Sequence, residues 1–191
     1  MYVRAHVSEV LSTQSAHMVQ WGSSFLFHET QYVVEKKLRT LRPTYAVKDA
    51  NGNLVGYVKS HVFRPISWFE GTDGPRLGEI RSKRMKYEMY DATNQPKAVV
   101  KPASGNRWKS PWLIEDPEDQ PLAKVQQSSK LLKEYGVLAP DGTALAQLHL
   151  IARAPFLPRG KTPSYRVEIL QQNLDPLLIL SLFFFSSSFQ L

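Results

Sequence analysis

The 191-residue chain has no cysteine. That absence excludes disulfides, thiolate catalysis and palmitoylation, and it fits a reducing compartment. Long hydrophobic runs are also missing. A bilayer-spanning helix needs about 20 mainly apolar residues, whereas the most apolar stretch, Leu177–Phe185, is nine residues long and ends at three serines. No transmembrane span is expected. Nor does the amino-terminal end read as a secretory signal, because Met1–Gln20 carries Arg4, His6, Glu9 and His17 with no continuous apolar segment. Its single acid, Arg4 and several serines give it a faint likeness to an organellar transit peptide, and a loosely ordered arm is the plainer reading.

Signals of catalysis and of bound metal are equally sparse. There is no Gly-x-Ser-x-Gly elbow, no Gly-rich phosphate loop leading into a helix and no His-Glu-x-x-His. Asp49-Ala-Asn-Gly-Asn53 has the look of a calcium loop, but its glycine comes at the fourth position and Ser60 stands where the bidentate Glu belongs. It reads as a turn. The five histidines show no ligand spacing. No metal site, no cofactor and no enzymatic activity are expected, and no specific nucleic-acid motif is visible.

What is present is a globular composition with an excess of positive charge. Hydrophobic residues make up 42% and charged residues 21%, and 24 Lys and Arg against 17 Asp and Glu leave a formal charge of +7. Such a balance favours anionic partners. From Gln31 onward, short β-rich runs alternate with turn residues. The clearest is Thr44–Val58, two runs flanking Asn51-Gly52, a strong hairpin signal. Similar hairpins read as Trp68–Ile80, Tyr87–Val100, Trp112–Val125 and Tyr135–Leu148, with turn aspartates at 49, 73, 91, 116 and 141 and gaps of 24, 18, 25 and 25 residues. This is a degenerate repeat in which each aspartate is expected to close its turn by accepting backbone N–H groups.

Five hairpins supply ten strands, and Tyr32–Lys36 and Ser164–Ile169 bring the number to twelve. An antiparallel sheet of that size leaves two vulnerable edges unless it closes. The expected fold is therefore mainly β: a closed antiparallel barrel of about twelve strands around a central hydrophobic C-terminal α-helix over about 175–189. The barrel is wider than the roughly eight-strand case that side chains alone can fill, so the helix serves as its plug. One domain is expected over residues 31–191, with residues 1–30 as an arm outside the repeat.

These residues resemble the Tubby C-terminal-like superfamily, which includes tubby proteins, phospholipid scramblases and LURP-one-related proteins. The resemblance is carried by the Tyr-x-Val-x-Asp-x-x-Gly-x-x-Val-Gly unit at Tyr45–Gly56, by its weaker copies, and by Ser164–Ile169 leading to Asp175-Pro-Leu-Leu-Ile-Leu180. It implies a twelve-strand barrel around a hydrophobic helix and, by analogy with tubby proteins, phosphoinositide binding through clustered Lys and Arg. The lack of cysteines and of a proline-rich amino-terminal arm separates the chain from the scramblases.

Basic clusters occur at Lys36-Lys37-Leu38-Arg39 with Arg42, at Arg81–Lys86, and at Lys101 with Arg107 and Lys109. In a strand, residues i and i+2 share a face, so Lys37/Arg39, Arg81/Lys83 and Arg84/Lys86 each form a two-pronged cationic pair suited to phosphate. Arg81, Lys83, Arg84 and Lys86 form the densest group and the preferred anion site, with Lys37 and Arg39 second. A solvated outer face that guards the strands is the bland alternative. The aromatics Trp68, Phe69, Tyr87, Tyr90, Trp108 and Trp112 are read as barrel packing. The leading expectation is a non-enzymatic barrel that binds anionic phospholipid headgroups or acts as a membrane-surface adaptor. A structural or interaction subunit of a larger assembly is the alternative, with a scramblase third. All three place the chain inside the cell, in the cytoplasm or peripherally on a membrane, with an organelle left open.

Overall fold

A computed structural model describes residues 29–37, 40–104, 110–129, 134–151, 164–171 and 175–187, the side chains of 129 and 183–187 excepted. Apart from Glu29 and Thr30, the expected arm lies outside the described residues. Twelve strands follow in order: β1 Gln31–Lys36, β2 Thr44–Asp49, β3 Leu54–Ser60, β4 Ile66–Gly71, β5 Arg76–Lys83, β6 Lys86–Asp91, β7 Pro96–Pro102, β8 Trp112–Glu115, β9 Pro121–Ser129, β10 Glu134–Leu138, β11 Ala144–Leu150 and β12 Ser164–Ile169. One helix, α1 Pro176–Ser187, comes last. Each strand pairs antiparallel with its sequence neighbour, and β1 closes the ring on β12 with Val33 opposite Arg166. Closure leaves no strand edge unpaired.

Period-two alternation decides which side chains face in. In β1, Tyr32 and Val34 are buried, and in β12 Tyr165, Val167 and Ile169 are buried while Arg166 is exposed. Val47, Val58, Phe69, Ile80, Met89, Val100, Ile114, Val137 and Leu148 carry the same inward row around the ring. Trp112 is buried and tilts against Tyr87 with ring centroids 5.8 Å apart. Tyr32 is closed off from solvent, which pushes its hydroxyl up to about 12 through loss of hydration.

Five hairpins share one turn geometry. The residue at the end of the first strand, or the one just after it, donates its N–H to the carbonyl four residues on, at 2.8–3.0 Å, and accepts from the N–H three residues on, at positions 49, 71, 91, 116 and 139. The fourth residue is left-handed in every case: Gly52, Gly74, Asn94, Asp119 and Gly142. The register shifts beside each of these turns, the mark of a type I turn followed by a bulge. Asp49, Asp91 and Asp116 close their turns as expected, each Oδ1 accepting from the N–H groups two and four residues on. Asp73 and Asp141 occupy the third position, so the repeat is set by Gly71 and Ala139 instead. Counted from the closing residue, the gaps become 22, 20, 25 and 23, more even than the aspartate count implies.

At Gly56 the neighbouring strand comes close. A Cβ there would lie 2.6 Å from the backbone oxygen of Glu70. Backbone cannot rotate aside as a side chain can, so Gly56→Ala is expected to cost about 1–3 kcal/mol. An unchanged urea midpoint would contradict this packing.

Helix α1 starts where its sequence dictates. Asp175 caps it, its Oδ1 accepting from the Leu177 N–H at 2.8 Å, and Pro176 takes the first helical position, where a missing N–H costs nothing. Leu177, Leu178, Ile179, Leu180, Ser181 and Leu182 are all at most 2% exposed, so no side of this stretch faces water. The aliphatic residues belong to the same buried cluster as the inward strand residues. Ser181 is satisfied locally by donating to the Leu178 carbonyl, and its Oγ lies 3.4 Å from the Met89 sulfur on β6.

Candidate functional site

Strands β5 and β6 project the preferred cationic cluster outward. Arg81 and Lys83 share the outer face of β5 with Glu79, as period-two spacing requires. Arg84 and Lys86 do not share a strand face: Lys83 pairs across to Lys86, so Arg84 and Met85 form the two-residue tip between them. Arg84 is left-handed there, with φ of 52°, a conformation that costs an L-residue roughly 1–2 kcal/mol. The Lys37/Arg39 pair is likewise not a strand pair. β1 ends at Lys36, Lys37 lies over the Tyr57 ring at 4.3 Å, and Arg39 lies outside the described residues. Two intervening strands, β3 and β4, separate Lys37's connection from the β5–β6 tip.

The cations divide by partner. Arg81 is committed to the fold: it donates to Glu79, donates to Asn94 Oδ1, and stacks over Tyr90 at 4.0 Å. Lys83 and Lys86, directly opposite each other, would repel, but Glu88 sits between them at 2.6 and 2.8 Å. The Lys83 hydrogen bond first, and the Lys86 bond second, hold the Glu88 carboxyl down at about 2. Arg84, exposed at the tip, has no ion-pair partner among the described residues. A groove of about 870 Å³ runs beside the tip, lined by Lys83 to Lys86 and Lys101 to Ser104. Lys101 pairs with Glu115 at 2.5 Å. Four cations thus border the groove against two carboxylates, and its walls are otherwise largely apolar.

Lys101 joins this group through the pairing of β7 with β6, which local spacing does not reveal. Tertiary placement also reassigns two aromatics. Phe69 and Trp112 pack inward, but Trp68 and Tyr90 lie on the outer face beneath guanidinium groups, Arg42 and Arg76 approaching Trp68 at 5.7 and 5.3 Å. Trp108 lies outside the described residues. No group of three or more metal-ligating side chains is found among the described residues.

Glu88 makes the site sensitive to acid. A carboxyl whose folded pKa lies below its ordinary 4.5 contributes stability above that value and loses it as pH falls through about 2. Glu88→Gln is expected to lower the melting temperature at neutral pH and to flatten the decline between about pH 4.5 and 2. A variant that declines as steeply as the parent over that interval contradicts this assignment.

The fold defines the class: a mainly β protein built as a closed, antiparallel twelve-strand barrel with one short C-terminal helix. The X-ray structure of an Arabidopsis thaliana protein, AT5G01750, shares it, with a TM-score of 0.57 and 17% identity over 83% of this chain and 90% of that one. At that identity the likeness concerns the fold alone. No family model matches the chain. No curated protein matches it either. Among the described residues, no helix is long and apolar enough to cross a membrane.

Proposed function

We propose that the chain is a non-enzymatic barrel that binds anionic phospholipid headgroups and serves as an adaptor at a membrane surface. The observation that carries this reading is the β5–β6 tip, where exposed Arg84, without an ion-pair partner among the described residues, stands beside Lys83, Lys86 and Lys101 along one groove. An unpaired guanidinium loses no existing ion pair on meeting phosphate, and it chelates two oxygens at once. The paired lysines add a long-range attraction that salt weakens. We also propose membership of the Tubby C-terminal-like superfamily, with α1 as the central plug of the barrel. The strand count, the Asp175-capped apolar helix and the barrel likeness to the Arabidopsis protein support that placement.

Co-sedimentation with phosphatidylcholine vesicles, and with the same vesicles carrying a phosphatidylinositol phosphate, tests the reading. Only the anionic vesicles should bring the protein down, and equal binding to both would overturn it. Arg84→Gly separates binding from folding, because relief of the left-handed backbone favours the variant while loss of charge weakens attachment. Stability is expected to stay level or rise by up to about 1 kcal/mol, and affinity to fall about fivefold, the worth of one basic residue near an anionic surface. Glu88→Gln acts oppositely on affinity by leaving Lys83 and Lys86 with no acid between them. Its vesicle binding should rise.

A further inference from the structure

The two ends of the barrel differ in chemistry. At one end lie the five bulged turns, residues 49–53, 71–75, 91–95, 116–120 and 139–143. They hold seven acids and not one Lys, Arg, Leu, Ile, Val, Met or aromatic residue. At the other end, the β1–β2, β3–β4 and β5–β6 connections invert this composition. Residues 37–43, 61–65 and 84–85 contain no acid, and each connection sets an arginine directly beside an apolar residue: Leu41-Arg42, Phe63-Arg64 and Arg84-Met85.

Those apolar side chains stand in water. Leu41 is 101% exposed, Phe63 90%, Val62 54% and Met85 37%. Arg42, Arg64 and Arg84 are exposed beside them. The connections are also braced. Ser60 donates its N–H to the Pro43 carbonyl at 2.9 Å, and Ser82 donates to the Pro65 carbonyl at 2.8 Å, tying each connection to the next strand pair. A fixed rim with several large apolar tips is a costly surface to leave wet, and such patches mark contacts.

We infer that this rim is the face that meets the bilayer, with Leu41, Val62, Phe63 and Met85 entering the headgroup region and Arg42, Arg64 and Arg84 holding lipid phosphates. The inference rests on the lipid-binding reading above and adds orientation and insertion to it. Apolar tips interleaved with arginines match the layered chemistry of an anionic interface, where acyl chains lie beneath phosphates. The acidic turns are repelled by the same surface and point away. Electrostatics alone therefore orients the barrel before any tip enters.

The absence of cysteine makes the test direct. Phe63→Cys, Leu41→Cys and Leu54→Cys each provide one thiol for an environment-sensitive fluorophore, Leu54 lying at the acidic end beside the β2–β3 turn. On phosphatidylcholine vesicles containing phosphatidylserine, labels at 63 and 41 are expected to shift to the blue and to resist an aqueous quencher, while the label at 54 does neither. The double variant Leu41→Ser/Phe63→Ser is expected to bind on the order of tenfold more weakly, as loss of two inserted apolar groups implies. Its melting temperature should be unchanged, since both side chains are exposed. If the parent chain sediments with these vesicles but labels at 63 and 41 stay water-exposed, the docking face is overturned while headgroup binding stands. If the parent chain ignores anionic vesicles, both readings fall, and the rim belongs to a protein partner.

Discussion

Removing residues 175–191 is expected to leave a chain that does not fold. Leu177, Leu178, Ile179, Leu180 and Leu182 are each at most 2% exposed, within the same buried cluster as the inward side chains of the strands. Burying one such side chain is worth about 1.5–3 kcal/mol, so five together contribute on the order of 10 kcal/mol. A whole domain is stable by only about 5–15 kcal/mol. Truncation also removes Ser181, whose Oγ lies 3.4 Å from the Met89 sulfur on β6. Far-ultraviolet circular dichroism and a urea titration decide the matter: loss of the cooperative transition is the expected result. A truncated chain that stays monomeric and melts cooperatively would falsify the dependence of the barrel on α1. Smaller cuts should scale down, with Ile179→Ala costing about 2–5 kcal/mol.

Replacing Arg42, Arg64 and Arg84 together by alanine should nearly abolish binding to anionic vesicles without unfolding the barrel. Each arginine near the surface is worth about 1 kcal/mol, so the triple variant is expected to bind on the order of 100-fold more weakly. The contrast with Arg81, Lys83 and Lys86 matters. Removing those three takes fold contacts from Glu79, Asn94, Tyr90 and Glu88, leaving Glu79 only Arg76 and Glu88 only the Tyr90 hydroxyl, so a loss of binding there is entangled with a loss of stability. The three rim arginines make few such contacts, Arg42 over Trp68 being the clearest. Salt titration of vesicle binding gives the check. The parent should release steeply as salt rises and the triple variant far less so; equal salt dependence would remove these arginines from the interface.

Much of the barrel is legible in the sequence. Asn51-Gly52 marks a hairpin because a left-handed residue must follow the turn, and Asp49, Asp91 and Asp116 mark theirs because a short carboxylate reaches two backbone N–H groups nearby. Asp73 and Asp141 misled the count, since Asp and Gly are common at several turn positions and composition does not say which one an aspartate holds. Strand ends were harder. The expected Arg84/Lys86 pair assumed an unbroken strand where a two-residue tip intervenes, and nothing in Arg84-Met85 advertises a turn. Glu88 has Lys86 two residues before it on β6, but its bridge to Lys83 exists only across the β5–β6 pair.

By itself, then, the sequence determined what is local: alternation that makes strands, turn chemistry that joins them, an Asp-Pro start for the helix, and an apolar segment too short to span a bilayer. Tertiary structure alone decided what depends on closure. Arg42, Arg64 and Arg84 stand roughly twenty residues apart in the chain, and they share a rim only because successive hairpins place alternate connections at the same end of one ring. The segregation of acids to the opposite end has the same cause. Local energies set each strand and turn, whereas which surfaces meet is fixed by pairings between residues far apart in sequence, and no window of neighbouring residues contains them.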